Sequence, residues 1–357
     1  MRILHINLEH GWRGGERQTL YLMRGLRDLG YENHLLARKN DLFVQQVIKF
    51  DFNVKVINKP FMVYGPFLKY FDIIQLHEVR GLQLAAFWKF FHSRPLIFTR
   101  RVDNMPSNHA FTRFKYKQVD RFIAISRKIK SVMIDWGLDE DLITVIPSAF
   151  SLKSDAKPTK VYELKQRFLG RKIIGCVAAL EDRKDHFTLL DAAALVNKQR
   201  NDVVFVLLGD GNLRGKLEDR AKELNLNNVV FEGYQNDPHS YYMIFDVFLM
   251  TSRSEGLGSS ILDAFFHRVP VVATAAGGIP ELVFDEQTGL LTPIGNPQKI
   301  QQALLRILDN PTLGNHVTTQ AYSLLKQNYS IPQMAKAYDC AYREVTRPHK
   351  KMSCKNP

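Results

Sequence analysis

The sequence predicts an α/β protein made of two tandem Rossmann-like domains, each a doubly wound parallel sheet, facing across a cleft. Three observations predict it. The chain has 357 residues, and at roughly 150 per domain that is about two domains. Short apolar runs rich in β-branched residues alternate with amphipathic stretches of roughly 10 to 18 residues, the pattern of repeated βαβ units. The polar, basic, proline-bearing stretch 151–162 (SLKSDAKPTKVY) breaks the alternation, which then restarts, so it reads as a linker.

Taken in order, strands are expected at 3–8, 34–37, 54–57, 72–77, 96–99, 122–125 and 144–146, forming one sheet. A second sheet is expected from 172–180, 203–208, 229–231, 247–251, 271–274 and 290–292, with helices near 186–198, 213–224, 259–267 and 297–308. Domain boundaries read as 1–155 and 156–330, followed by a helical tail, 331–357, packing back on the first domain. Ligands of open α/β sheets bind beyond the carboxyl ends of the strands. Function is therefore expected in the loops that follow strands.

Composition narrows the classes. With 45% hydrophobic and 24% charged residues the chain is a globular protein. The formal charge of +13 calls for an anionic partner such as a nucleic acid, phospholipid or phosphorylated substrate. Three cysteines, Cys176, Cys340 and Cys354, are too few and too dispersed for a disulfide framework or a four-thiolate zinc site. No apolar run approaches the roughly 20 residues of a membrane span, and the start before Glu9 is too short for a signal-peptide core. A cytoplasmic location is expected, with peripheral contact at the cytoplasmic face of the inner membrane.

The most informative segment is 252–281, SRSEGLGSSILDAFFHRVPVVATAAGGIPE. It follows an expected strand and runs through a glycine-rich turn into a helix. It then crosses Pro270 into a strand and ends at a second turn, Gly277-Gly278. Glycines strip side chains from such a turn, so backbone N–H groups at a helix N-terminus can approach a phosphate. Gly256, Leu257, Gly258, Ser259 and Ser260 occupy that turn. Glu255 before the helix and Asp263 within it could accept hydrogen bonds from sugar hydroxyls beside the phosphates. The plainer reading makes the glycines turn formers, Glu255 a cap-region acid and Asp263 a solvated helix residue.

This ordered combination resembles the donor-binding signature of retaining glycosyltransferases of the GT-B architecture, family 4 (glycosyl transferases group 1). The second acid is Asp263 where that family usually has Glu. The resemblance implies that Gly256 to Ser260 bind the donor, that Glu255 holds the transferred sugar and that Asp263 meets the nucleotide ribose. It implies an acceptor role for the first domain and a donor role for the second. Leu180 to Asp185 (LEDRKD) resembles the family's Arg-Leu-x-x-x-Lys-Gly loop, in which cations stabilise the departing diphosphate. Its usual Arg is Ala179 here, so Arg183 and Lys184 are the expected pair. Gly209 and Gly211 resemble the Gly-x-Gly turn near the nucleotide, and Gly233 with Tyr234 a strand end near the base.

In the first domain, Gly14-Gly15-Glu16 resembles the family's N-terminal glycine loop. His77 matches the second His of the Asp-Val-Val-His-x-His-Asp strand end, where it could bond substrate hydroxyls or serve as a buried structural histidine. Arg101 stands where many members carry a His. An arginine there suggests an anion contact, to donor phosphate or to a charged acceptor, and Glu16 of the glycine loop is assigned to acceptor or anion contact with it.

The implied reaction moves a hexose-type sugar, with retention, from a nucleoside diphosphate sugar, UDP-sugar first, to a hydroxyl of an envelope glycolipid or polysaccharide such as lipopolysaccharide core. The resemblance implies no metal, no other cofactor and no firm protein nucleophile. A GT-B epimerase or sugar-phosphate synthase is the alternative. A dinucleotide oxidoreductase would need Gly-x-Gly-x-x-Gly after the first strand, which 10–15 (HGWRGG) lacks. A nucleic-acid-binding protein is the remote rival, without a recognition element to support it. The charge excess concentrates in 94–130, with ten basic and two acidic residues interleaved with Phe98, Phe111, Phe114, Tyr116 and Phe122. That mixture suits an anionic membrane face or a phosphorylated acceptor. A solvated helix face over core aromatics is the competing account.

Overall fold

The computed structural model describes residues 1–39, 41–151 and 156–346. The linker segment 152–155, the chain beyond 346 and Cys354 lie outside the described residues. The chain divides into two compact units. The first comprises Met1–Ser151 with the chain from Tyr329 onward, the second Leu152–Asn328.

In the first unit the strands are β1 (Arg2–Asn7), β2 (Glu32–Arg38), β3 (Asn53–Ile57), β4 (Ile73–Leu76), β5 (Leu96–Arg100), β6 (Arg121–Ala124) and β7 (Ile143–Val145), with helices α1 (Gly14–Asp28), α2 (Leu42–Ile48), α3 (Val79–His92), α4 (Ala110–Lys117) and α5 (Arg127–Asp135). All pairings are parallel, in the order β3-β2-β1-β4-β5-β6-β7. In the second unit, α6 (Pro158–Arg167) leads into β8 (Lys172–Val177), α7 (His186–Asn197), β9 (Val203–Leu208), α8 (Arg214–Glu223), β10 (Val229–Gly233), α9 (His239–Tyr242), β11 (Val247–Met250), α10 (Ser259–Phe266), β12 (Val271–Thr274), β13 (Leu290–Thr292), α11 (Pro297–Asp309) and α12 (Pro311–Asn328). Its parallel order is β10-β9-β8-β11-β12-β13. The last helix, α13 (Ile331–Thr346), belongs to the first unit.

Central strands are covered on both faces, which is why they read as unbroken apolar runs. Every residue of β9 (VVFVLL) is buried. The expected linker is shorter than its composition suggested: a helix begins at Pro158. Proline suits the first helical position, where its missing N–H costs nothing and its fixed φ is already helical.

The α13 helix packs on α1, where Gly25 admits it: a Cβ there would lie 2.7 Å from Cβ of Ala335. Its Tyr338 hydroxyl bonds Thr99 Oγ1 at 2.8 Å, and its Tyr342 hydroxyl donates to Gln75 Oε1 at 2.9 Å. These bonds satisfy polar groups that would otherwise be stranded in the sheet. Cys176 is a buried free thiol and Cys340 is disulfide-bonded. Of the five aromatics expected at a membrane face, Phe98, Tyr116 and Phe122 are core residues, and Phe111 and Phe114 are exposed.

Candidate active site

In each sheet the strand order reverses once, between β1 and β4 in the first and between β8 and β11 in the second. At such a switch point the loops leaving adjacent strands turn to opposite faces and open a crevice. The expected site residues gather at these two places.

In the second unit, the loop after β8 and the loop after β11 are laced together. Thr251 Oγ1 donates to the carbonyls of Lys184 (3.1 Å) and Asp185 (3.0 Å). The N–H of Arg253 donates to the Arg183 carbonyl at 2.9 Å. The loop after β12 joins them: Gly278 N–H donates to the Glu255 carbonyl at 2.9 Å, and Thr274 Oγ1 to the Ser252 carbonyl at 2.6 Å. This lacing brings Lys184 Nζ onto Glu255 Oε2, although the two residues are 71 positions apart in sequence. Both side chains are nearly buried, at 10% and 12% exposure. A cation and an anion held side by side in a partly desolvated crevice interact strongly with incoming charge. Lys184 can meet a diphosphate oxygen, and Glu255 can accept hydrogen bonds from sugar hydroxyls.

Arg183 points elsewhere: its Nε donates to Glu181 Oε2 at 3.1 Å, and the side chain is nearly half exposed. The glycines do what the turn requires. Gly258 heads α10 at φ +91 with no side chain capping the helix. Gly209 sits at φ +137, and a Cβ there would come within 1.9 Å of the Ala178 carbonyl oxygen. At Gly211 a Cβ would fall 2.4 Å from the Leu180 carbonyl oxygen. Gly256, Leu257 and Gly258 are buried, Ser259 and Ser260 half-buried. Gly233, at φ +67, accepts from the Gly209 N–H at 2.8 Å, and Tyr234 beyond it is exposed. Asp263 is buried, which overturns the plainer account of it as a solvated helix residue. It lies one turn before His267, whose pKa burial drives down to about 4 with the His239 ring adding to the shift and Asp263 opposing it.

In the first unit, Gly14 and Gly15 open α1, and the Glu16 carboxylate accepts the Arg13 N–H at 3.0 Å. Glu16 is thus buried as part of its own helix cap, and burial raises its pKa. Gly15 lets Arg101 lie close, with Cδ 3.8 Å from where a Cβ would stand. The Arg101 Nε is buried without a hydrogen-bond partner among the described residues. Its NH2 lies 3.5 Å from Nδ1 of His77. His77 is buried, and desolvation, reinforced by His5 and Arg101, lowers its pKa far below that of a free imidazole.

The family model described as Glycosyl transferases group 1 matches residues 163–324, and the one described as Glycosyltransferase Family 4 matches residues 12–153. The chain belongs to the family 4, group 1 glycosyltransferases. Among curated relatives of this family member is the lipopolysaccharide core biosynthesis glycosyltransferase LpsE of Rhizobium meliloti. It is 30% identical over 158 residues, 44% of this chain and 45% of that protein. Another is the Escherichia coli UDP-Gal:alpha-D-GlcNAc-diphosphoundecaprenol alpha-1,3-galactosyltransferase. It is 28% identical over 209 residues, 56% of this chain and 54% of that one. The chain spans about half the length of the curated relatives it matches. The solved structure of Anabaena HepE in complex with UDP and glucose superposes with a TM-score of 0.85, covering 96% of this chain and 99% of that one at 22% identity. That likeness establishes the GT-B fold.

Three functional candidates of this glycosyltransferase family member were missed in reading its sequence. Arg253 donates from Nε and NH2 to both carboxylate oxygens of Asp185, at 2.8 and 3.0 Å. It thereby places a second guanidinium on the loop that carries Lys184. His5 and Asn33 stand behind His77: His5 Nδ1 is 3.0 Å from His77 Nε2, and His5 Nε2 is 2.9 Å from Asn33 Oδ1. The signal for His5 does exist in the strand: a histidine inside an apolar run, on a strand buried on both faces, needs a polar partner. Arg253 carries no such signal, since its partner Asp185 lies 68 positions away.

Proposed function

We propose that the protein is a retaining hexosyltransferase that uses a UDP-sugar donor and an envelope glycolipid or polysaccharide acceptor such as lipopolysaccharide core. The Lys184–Glu255 pair at the β8/β11 switch point carries this reading: one group suited to a diphosphate, the other to sugar hydroxyls, fixed in contact by three loops. UDP and glucose in the HepE complex and the acceptors named for the two relatives support the choice of donor and acceptor. In the reaction the bond from the anomeric carbon to the β-phosphate oxygen breaks, and the acceptor oxygen bonds that carbon on the same face. The acceptor proton passes to the departing phosphate. Lys184 and the uncapped start of α10 stabilise the leaving diphosphate, with no cofactor and no metal assigned a step. Calorimetric titration with UDP-, GDP- and ADP-sugars, followed by product analysis, tests this. A UDP-sugar is expected to bind and to yield a glycoside of unchanged anomeric configuration. Binding of none of them, or a free epimer or sugar phosphate as product, rejects it.

The membrane partner is read from a surface of the first unit. The segment Phe61–Tyr70 and α4 both pack against α3, and the three together contain no Asp or Glu but carry Lys69, Arg80, Lys89, Arg113, Lys115 and Lys117; of these Lys115 is buried, Arg80 pairs with Glu9 and Lys89 with Asp120, leaving Lys69, Arg113 and Lys117 as the surface charges. On α3, Phe87, Phe90 and Phe91 are 57%, 89% and 69% exposed. Exposed aromatics within a cationic surface suit the headgroup region of an anionic bilayer. No helix among the described residues is long and apolar enough to cross a membrane.

A further inference from the structure

A chain of hydrogen bonds runs through the buried interior of the first unit, and both of its ends are chemically one-way. At one end the Arg101 guanidinium, which can only donate, lies 3.5 Å from His77 Nδ1. At the other end the Tyr31 carbonyl, which can only accept, receives Asn33 Nδ2–H at 3.0 Å. That bond orients the Asn33 amide and turns its Oδ1 toward His5 Nε2, 2.9 Å away, which must therefore carry the proton. A neutral His5 then offers a bare Nδ1 to His77 Nε2 at 3.0 Å, so His77 donates from Nε2 and its Nδ1 is bare as well. Read from the Arg101 end, the assignment is identical, because Nδ1 facing a guanidinium must be the acceptor. A proton added to either ring would set two donors against each other.

We infer that His5 is a positioning residue: backed by Asn33, it locks His77 in the neutral Nε2–H form, so that the ring presents only an acceptor, Nδ1, at the β1/β4 switch point. This rests on the reading of that switch point as a sugar-binding site. His77 is then a hydrogen-bond acceptor, for the Arg101 guanidinium as the structure stands or for a substrate hydroxyl that takes that donor's place, rather than a proton-transfer group, since its other nitrogen is committed to His5 and no proton can be stored in the chain. Other charged and titratable groups surround the chain of bonds. His77 itself is faced by His5 and by Arg101 after β5; His34 on β2 acts on His5, and Glu16 on α1 and Tyr338 on α13 act on Arg101. Burial also holds His5 at about 4, consistent with a neutral ring.

Two-bond proton–nitrogen spectra of the full chain labelled with ¹⁵N-histidine test the inference directly, with His77→Gln and His5→Asn supplying the assignments. Both rings are expected to be neutral, protonated at Nε2 and bare at Nδ1, down to about pH 5.5. In His5→Leu the His77 ring is expected to lose its single tautomer or to titrate nearer neutrality. A His77 protonated on Nδ1, an imidazolium at neutral pH, or a His77 spectrum unchanged in His5→Leu overturns the inference. In turnover assays, His5→Leu is expected to lower kcat on the order of tenfold with little change in donor KM. His5→Asn, which keeps an acceptor near the Nδ1 position, is expected to recover most of that loss. Equal losses in both variants also overturn it. If the parent transfers no sugar, the functional reading fails while the spectra still decide the tautomer.

Discussion

Arg253 grips both carboxylate oxygens of Asp185 at 2.8 and 3.0 Å, tying the loop after β11 to the first residue of the α7 helix cap. The Asp185 side chain is 1% exposed, while the guanidinium is half in solvent. A buried carboxylate stripped of its partner keeps its desolvation cost. Arg253→Gln is therefore expected to destabilise the second unit by about 1–3 kcal/mol and to weaken UDP-sugar binding, because the loop holding Lys184 loosens. Chemical denaturation followed by far-UV dichroism, together with calorimetry, measures both. Unchanged stability with unchanged donor binding would remove Arg253 from the site.

Lys184 and Glu255 are expected to separate chemistry from folding. Glu255→Ala should abolish sugar transfer while the fold survives, since the loops are held mainly by backbone and hydroxyl bonds that the substitution leaves in place. Lys184→Met should lower kcat about a hundredfold by removing the charge opposite the leaving diphosphate. Near-normal turnover of either variant with several donors would be fatal to the assignment.

Gly209→Ala is expected to cost the second unit at least about 3 kcal/mol. Its φ of +137 disfavours any side chain, and the new Cβ would meet the Ala178 carbonyl oxygen, a backbone atom that cannot swing aside. Expression as a folded protein with parental stability would show that the turn can relax.

Acid stability of the first unit is expected to reflect two opposed groups. Burial lowers His5 from 6.5 to about 4, so the folded chain binds fewer protons there, and stability falls as pH drops through that window. Burial raises Glu78 from 4.5 to about 7, so the folded chain binds more protons there, and stability rises as pH drops through its window. Glu78→Gln should therefore steepen the loss between about pH 6.5 and pH 5. All three tryptophans, Trp12, Trp88 and Trp136, lie in the first unit, so tryptophan emission during urea unfolding reports that unit alone. Identical pH slopes in parent and variant would refute the compensation.

Phe90→Ser with Phe91→Ser is expected to weaken binding to phosphatidylglycerol-containing vesicles about tenfold or more, with activity toward a soluble acceptor analogue retained. Co-sedimentation at two salt concentrations measures it. Binding equal to that of the parent would place the membrane contact elsewhere or nowhere on this surface.

The sequence by itself determined the two doubly wound sheets, because strands buried on both faces must be apolar along their whole length and the helices between them amphipathic. It also marked the loops that hold Lys184, Glu255 and the glycines, since a turn needing positive φ admits little but glycine. Only the tertiary structure decided which side chains meet. Lys184 reaches Glu255 and Arg253 reaches Asp185 because reversal of strand order at β8/β11 brings together loops about 70 residues apart. The same holds for the aromatics: spacing could not tell the core residues Phe98, Tyr116 and Phe122 from the exposed Phe90 and Phe91. A helix or strand apolar on all sides has no inner face until its neighbours are in place, and the direction of the hydrogen bonds at His77 is set by the Tyr31 carbonyl just before β2 and the Arg101 guanidinium just after β5.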